Sequence, residues 1–322
     1  MMDYIGHKSQ LYGVEEHRLV GGKGDGMRLL EVKNGKGVEM TLSLDRCSDI
    51  SRLIFKGVNL GYFSPVGYVA PAFYDKDGAN FHKSFTAGFM TTCGLTTVGA
   101  PCYDGDEYLP LHGTISNTPA DNVRWEEKDG KLVISAEIHD ERMFSRKLVL
   151  YREIALSLTE NSYTVKDRVV NDGDTDSPLM LLYHMNMGYP LLSEKAELDI
   201  PSLSVSARTE KAMKGIDKWM EMLPPQKQYE EECFFHTFGE KASATIKNAD
   251  AGVGLTISFD TVNNLDCFTE WKMMGTRDYV LGLEPGNCLP SGRAAMREEG
   301  KLLTLHPGES REYTFKVTMF TV

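Results

Sequence analysis

The sequence contains no run of apolar residues approaching the ~20 that span a bilayer, and Met1 to Gly13 is polar, without the continuous apolar core of a secretory signal. A cytoplasmic location is the expectation. Clustered basic charge is missing too: 35 Lys and Arg are scattered singly and in pairs against 46 Asp and Glu, for a net charge of −11. Nucleic acid and anionic membranes both call for a concentrated basic patch, so neither is an expected partner; a small neutral or cationic molecule is.

Close cysteine pairing is also lacking. Cys47, Cys93, Cys102, Cys233, Cys267 and Cys288 are spread singly with no CxxC, which argues against a paired-cysteine metal or redox centre and for reduced thiols that pack. No His/Asp/Glu spacing matches a recognised ligand set; His82 and Asp104-Gly-Asp106-Glu107 read as a surface histidine and a solvated turn. No metal or organic cofactor is expected. His7, His17, His139, His236 and His306 read as structural or exposed. Amphipathic helix patterns are scarce, the best being a short piece from Asp217 to Met222. With no repeat, charge block or linker, the expectation is one domain over residues 1–322, with a charged loop-and-helix excursion around 194–235 that includes Pro224-Pro225.

What is present is strands. Lys131 to His139 alternates apolar and polar positions, and Arg146 to Ile154 and Ser162 to Val170 follow it as antiparallel neighbours, closed by an Asn171-Asp-Gly-Asp174 turn. Ala242 to Ile246 and Gly252 to Phe259 read the same way, and Leu302 to Leu305, Pro307-Gly308 and Arg311 to Phe320 read as a closing hairpin. Many strands at roughly ten-residue spacing, with few helices, predict an all-β sandwich or barrel.

Three segments join a titratable side chain to turn chemistry: Pro110-Leu-His112-Gly113, Leu182-Tyr-His184-Met-Asn186-Met-Gly188, and Leu283-Glu284-Pro285-Gly-Asn287. His184 ends an apolar run from Pro178, where a buried imidazole needs a partner or a pocket. Pro285 is expected to stop its strand at Glu284. Secondary candidates for binding a ligand are Arg46, Asp49, Asn186, Glu270 and Lys272, with Trp271 as a stacking surface; Trp271-Lys272 would lie beside Glu284 in a hairpin about Gly275. Lys272, Arg277 and Arg293 are the candidates for receiving an anion, and Cys93 is a packing thiol that could lie near the site.

The order of these segments, from Asp45-Arg-Cys-Ser-Asp49 through Thr91-Thr-Cys-Gly-Leu95, His112-Gly113, His184 and Glu284-Pro285 to Leu305-His-Pro-Gly308, resembles the galactose-mutarotase-like, or aldose 1-epimerase-like, family, in a poorly characterised branch. The resemblance implies a large antiparallel β-supersandwich and a cofactor-free site that handles a carbohydrate. By position it gives His184 as general acid, Glu284 as general base and His112 as the second, sugar-binding histidine. The contexts here, Tyr-His-Met-Asn-Met-Gly and Leu-Glu-Pro-Gly-Asn, depart from the Asn-His-Ser-Tyr-Phe-Asn-Leu and Leu-Glu-Thr-Gln of the better-known branch, which leaves the sugar undefined. Three readings follow: an isomerase equilibrating α and β anomers, a carbohydrate-binding or sensing protein without turnover, and an epimerase or lyase acting on a modified sugar. The sequence leaves a homodimer open.

Overall fold

The computed structural model describes residues 2–263 and 265–322. Among them, the two largest sheets are antiparallel and face one another. One has eight strands in the order Asp121–Lys128, Lys131–Glu141, Lys147–Ser157, Ser162–Asn171, Ser310–Thr321, Val253–Asp260, Lys241–Asn248 and Glu197–Asp199. The other, of seven, runs Ser204–Ala207, Glu232–Thr237, Cys267–Met274, Tyr279–Gly286, Ser177–Met187 and Leu303–Leu305, with Met90–Leu95 also paired to Ser177–Met187. A five-stranded sheet from Gly13–Arg18 to Val58–Asn59 packs at one end.

Alternation builds the core between them. Ile134, Ile154, Val165 and Val317 from the first sheet meet Leu181, Tyr183, Leu283 and Phe268 from the second in one buried apolar cluster. The three strands read as consecutive antiparallel neighbours from Lys131 to Val170 pair in that order. The carboxy-terminal hairpin does not form. Leu303–Leu305 joins Ser177–Met187 in one sheet and Ser310–Thr321 lies between two strands of the other, so the Pro307-Gly308 turn carries the chain across the sandwich. The 194–235 region likewise contributes strands to both sheets, besides a short helix at Glu210–Lys214.

One buried ion cluster ties these layers together. Arg152, 2% exposed, donates from Nε and Nη2 to both oxygens of Asp167 (3.0 and 2.7 Å) and from Nη1 to Asp49 Oδ1 (2.7 Å) and the Cys47 carbonyl (2.9 Å). Its Nη2 also reaches Thr92 Oγ1 at 2.8 Å. Asp49 accepts in turn from the Thr92 backbone and hydroxyl, and Asp167 from the Tyr183 hydroxyl at 2.8 Å. Asp49 is therefore a structural counter-ion and not a ligand residue. Arg46, also proposed for ligand binding, is spent on main-chain carbonyls: those of Ser116 at 2.6 Å, Val69 at 3.0 Å and Ser84 at 2.8 Å. It pins the loops that wall the cavity described below.

Removing the guanidinium leaves two carboxylates buried without compensation, which costs about 3–5 kcal/mol where a buried pair is broken. Arg152→Met should lower the urea-unfolding free energy by that amount, with partial recovery when Asp49→Asn and Asp167→Asn are added. A loss below about 1 kcal/mol in the single variant would mean that the cluster does not hold the layers together.

Candidate functional site

Side chains on a strand alternate between faces, so the residues that point away from the core are fixed once the core residues are known. On Ser177–Met187, Leu181, Tyr183 and Met185 belong to the core, which turns His184 outward. On Tyr279–Gly286, Leu281 and Leu283 face the core, and Val280 and Glu284 face out. Met185 pairs with Leu283 and Leu182 with Gly286, a register that sets His184 directly opposite Glu284. On the other side Thr269 pairs with Glu284 and Trp271 with Gly282, in the hairpin expected about Gly275. These outward side chains form the floor of a cavity of about 600 Å³.

His184 Nε2 lies 3.2 Å from Glu284 Oε1, both residues being almost wholly buried. Among the described residues neither that oxygen nor His184 Nδ1 has a partner in full hydrogen-bond geometry, so both keep unused hydrogen-bonding capacity. Gly282 makes the arrangement possible. It sits two residues before Glu284 on the same face, and a Cβ there would collide with Glu284 Oε1. The carboxyl thus folds back over the space that the glycine leaves.

Burial governs the titration of this floor. It lifts the Glu284 carboxyl well above the usual carboxylate range, assisted by the Glu231 charge and opposed by Arg208. It pushes the His184 imidazole down to about 4, opposed by the neighbouring Asn186 amide, and His112 down to about 3, with His184 adding to the effect. At neutral pH the floor therefore presents neutral imidazoles beside a carboxyl that holds its proton unusually well.

His112 arrives from a loop. Its φ of 56° and that of Gly113, 75°, are left-handed, and a Cβ on Gly113 would strike the Gly94 carbonyl, so the His-Gly pair is what lets the loop lie flat on the Met90–Leu95 strand. Main-chain bonds from Gly94 to the His112 carbonyl and from His112 to the Gly99 carbonyl, both 3.0 Å, fix it. The rings of His112, Phe85 and Trp271 then surround His184 edge-on at 5.7, 5.5 and 5.3 Å.

The structure brings His184, Glu284, His112 and Trp271 together in one cavity and leaves the remaining candidates outside it. Glu270 and Lys272 flank Trp271 in sequence and so must point the other way. Glu270 faces His236 Nε2 at 3.2 Å, and Lys272 Nζ donates to the carbonyls of Trp219 (2.9 Å) and Glu221 (2.7 Å). Asn186 is fully buried and donates to the His184 carbonyl at 2.9 Å. Arg293 is held by Asp104 and Glu107, so the acidic segment read as a solvated turn is half of an ion cluster, and Arg277 lies outside the cavity lining. Cys93 packs with Met180, Leu182 and Cys288. His184 and Glu284 also lie within their strands, not at the ends; Pro285 is tolerated because the strand finishes one residue later, at Gly286.

Sequence reasoning missed Arg208, Glu231, Asp278, Tyr62 and His82 in the cavity wall. Arg208 and Glu231 fall in the segment read as an excursion, where charge is the norm and no periodicity separates a wall residue from a solvated one.

Two measurements check this geometry. Nitrogen-15 NMR of the histidine rings should find His184 and His112 neutral throughout pH 6–8; an imidazolium at His184 near pH 6 would contradict the buried floor. Gly282→Ala should fold with a nearly unchanged melting temperature, because the colliding carboxyl can swing aside, and its crystal structure should show Glu284 moved away from His184.

Over residues 24–319 the sequence matches the family described as Domain of unknown function (DUF4432). No curated protein matches it by sequence. Among solved structures it is similar to one described as a putative aldose 1-epimerase from Klebsiella pneumoniae: 27% identity, a TM-score of 0.90, and coverage of 98% of this chain and 86% of that one. A galactose mutarotase-like protein from Clostridium acetobutylicum gives 15% identity and a TM-score of 0.66 over 97% of this chain and 100% of that one. Galactose 1-epimerase from Lactobacillus acidophilus gives 14% and 0.65 over 96% and 99%. The last two comparisons speak to the fold alone. With 24–319 of its 322 residues matched, the chain belongs to the DUF4432 family, built on the galactose-mutarotase-like sandwich.

Proposed function

We propose that the chain equilibrates the α and β anomers of an aldose, using His184 and Glu284 as a proton-transfer pair on the cavity floor. The observation that carries this reading is their 3.2 Å separation on one wall, among aromatic rings. Opposite walls would be the simplest arrangement for such a pair. The reaction does not need them, because the two oxygens that exchange protons, the ring oxygen and the anomeric hydroxyl, are bonded to the same carbon. Adjacent groups can therefore serve one oxygen each.

Ring opening requires the hydroxyl to lose a proton as the ring oxygen gains one. The C1–O5 bond breaks to give the open-chain aldehyde, the C1–C2 bond rotates, and closure returns both protons with the roles exchanged. In the opening direction His184 donates to the ring oxygen and Glu284 accepts from the hydroxyl. The pair needs one proton between its members at the outset. Burial draws the resting proton toward Glu284, and transfer to the imidazole as the sugar binds sets up the donor. Trp271 offers a flat surface for the apolar face of the ring, and His112 can hydrogen-bond a hydroxyl through whichever nitrogen is free of the Gly99 amide, 3.4 Å from Nδ1.

Freshly dissolved single anomers of a panel of aldoses, followed by polarimetry and exchange NMR, test the reading. Glu284→Gln and His184→Asn should each slow the catalysed exchange by roughly 100-fold or more, the usual contribution of a positioned acid or base. The wild-type rate should not fall as the pH is lowered from 7 to about 5, because the buried His184 takes up a further proton only near about 4. A loss on acidification centred near pH 6.5, the ordinary imidazole value, would contradict the pair. Sugars that bind without exchanging would favour sensing, and products changed beyond C1 would favour the epimerase or lyase reading.

A further inference from the structure

We propose that Arg208 receives an anionic substituent of the ligand, so that the site takes aldoses carrying a phosphate, sulfonate or carboxylate remote from the anomeric carbon. The inference rests on the reading of the cavity as a sugar site. Three observations support it.

The first is size. The cavity of about 600 Å³ falls in the middle of the ~300–1,000 Å³ range of pockets that take drug-sized ligands, and is more than a hexopyranose ring with its hydroxyls fills. A sugar whose C1 rests on His184 and Glu284 leaves space toward the mouth for a further group.

The second is an uncommitted cation. Arg208 follows the Ser204–Ala207 edge strand, and its backbone N–H is fixed to the Cys233 carbonyl at 2.9 Å, while the side chain is exposed at the cavity wall. Its guanidinium lies beside the Cys233 thiol and acts on Glu284 through its charge, and among the described residues it forms no ion pair within 4.0 Å of a carboxylate. A guanidinium has five N–H donors in a fork that suits phosphate, sulfonate and carboxylate oxygens. The other cations considered for this role are occupied or distant: Lys272 by main-chain carbonyls, Arg293 by Asp104 and Glu107, and Arg277 outside the lining.

The third is that the acidic side chains of the wall face groups other than Arg208. Glu231 accepts from the Trp271 indole at 2.8 Å, and Asp278 Oδ1 lies 3.4 Å from the Tyr62 hydroxyl, whose nearer acceptor is the Arg277 carbonyl at 3.0 Å. Arg208 is left as the charged wall group with the most unused hydrogen-bonding capacity.

Titration calorimetry with matched pairs tests this: glucose, galactose and mannose against their 6-phosphates, their uronic acids and their 6-deoxy-6-sulfonates, on wild type, Arg208→Gln, Arg208→Lys and Glu284→Gln. An anionic member should bind wild type at least tenfold more tightly than its neutral partner, and the tightest anion identifies the substituent. Arg208→Gln should erase that factor while leaving neutral-sugar affinity within about twofold and the melting temperature unchanged, and Arg208→Lys should keep part of it. Glu284→Gln should retain the preference while losing anomer exchange, so the anion site stands or falls separately from the catalytic reading. The proposal is overturned if neutral sugars bind wild type as tightly as every anionic partner, if no anionic sugar binds, or if the preference survives in Arg208→Gln.

Discussion

A single guanidinium in the interior joins several layers of this architecture at one point. Arg152 gathers Asp49 from the five-stranded end sheet, Thr92 from the strand beside the site and Asp167 from its own sheet, and Tyr183 closes the set from the facing sheet. Charges out of water are stable only when their donors and acceptors are filled, so the cluster fixes the relative positions of the layers that supply it. The next residue after Tyr183 is His184. One side of that strand is therefore locked to the ion cluster through a hydroxyl while the other presents the imidazole to the cavity, and the floor inherits the rigidity of the core.

The second constraint is the two-residue period of a strand. It explains which candidates meet. Glu270, Trp271 and Lys272 were all plausible from chemistry, yet consecutive residues cannot share a face, and only Trp271 reaches the cavity. The two charged neighbours face inward, where each has found a partner: His236 for Glu270, main-chain carbonyls for Lys272. Lys272 shows how burial can be accommodated without a counter-ion in contact. Its ammonium, held below its usual pKa by burial, ties down the turn around Trp219 to Glu221.

Much of this fold was legible in the sequence because alternation is a local signal. The strands from Lys131 to Val170 and from Ala242 to Phe259 showed it, and the ordered histidines and glutamate pointed to segments that the structure brings to one cavity. The closing hairpin was misread because a Pro-Gly turn between two β-type runs looks the same whether the runs pair with each other or with different sheets. Arg46 and Asp49 were misread because a buried ion network and a ligand site use the same residue types; only long-range packing tells them apart. Arg208 and Glu231 were missed since nothing local marks a charged residue beside an edge strand as facing a cavity.

The cavity joins two kinds of structure. Its floor is borne by paired strands, with Glu284 seated over Gly282 and His184 backed by the core. Its upper wall comes from connecting segments: the stretch around Ser64 to Val66, that from Gly78 to Phe85, Gly99 to Pro101, and Arg208. Loops accept substitution, insertion and deletion at far lower cost than hydrogen-bonded strands do. Divergence in such a molecule can proceed by rewriting the rim while the paired-strand floor stays as it is, and an engineer wishing to change which molecule enters would graft loops and leave the sheet alone.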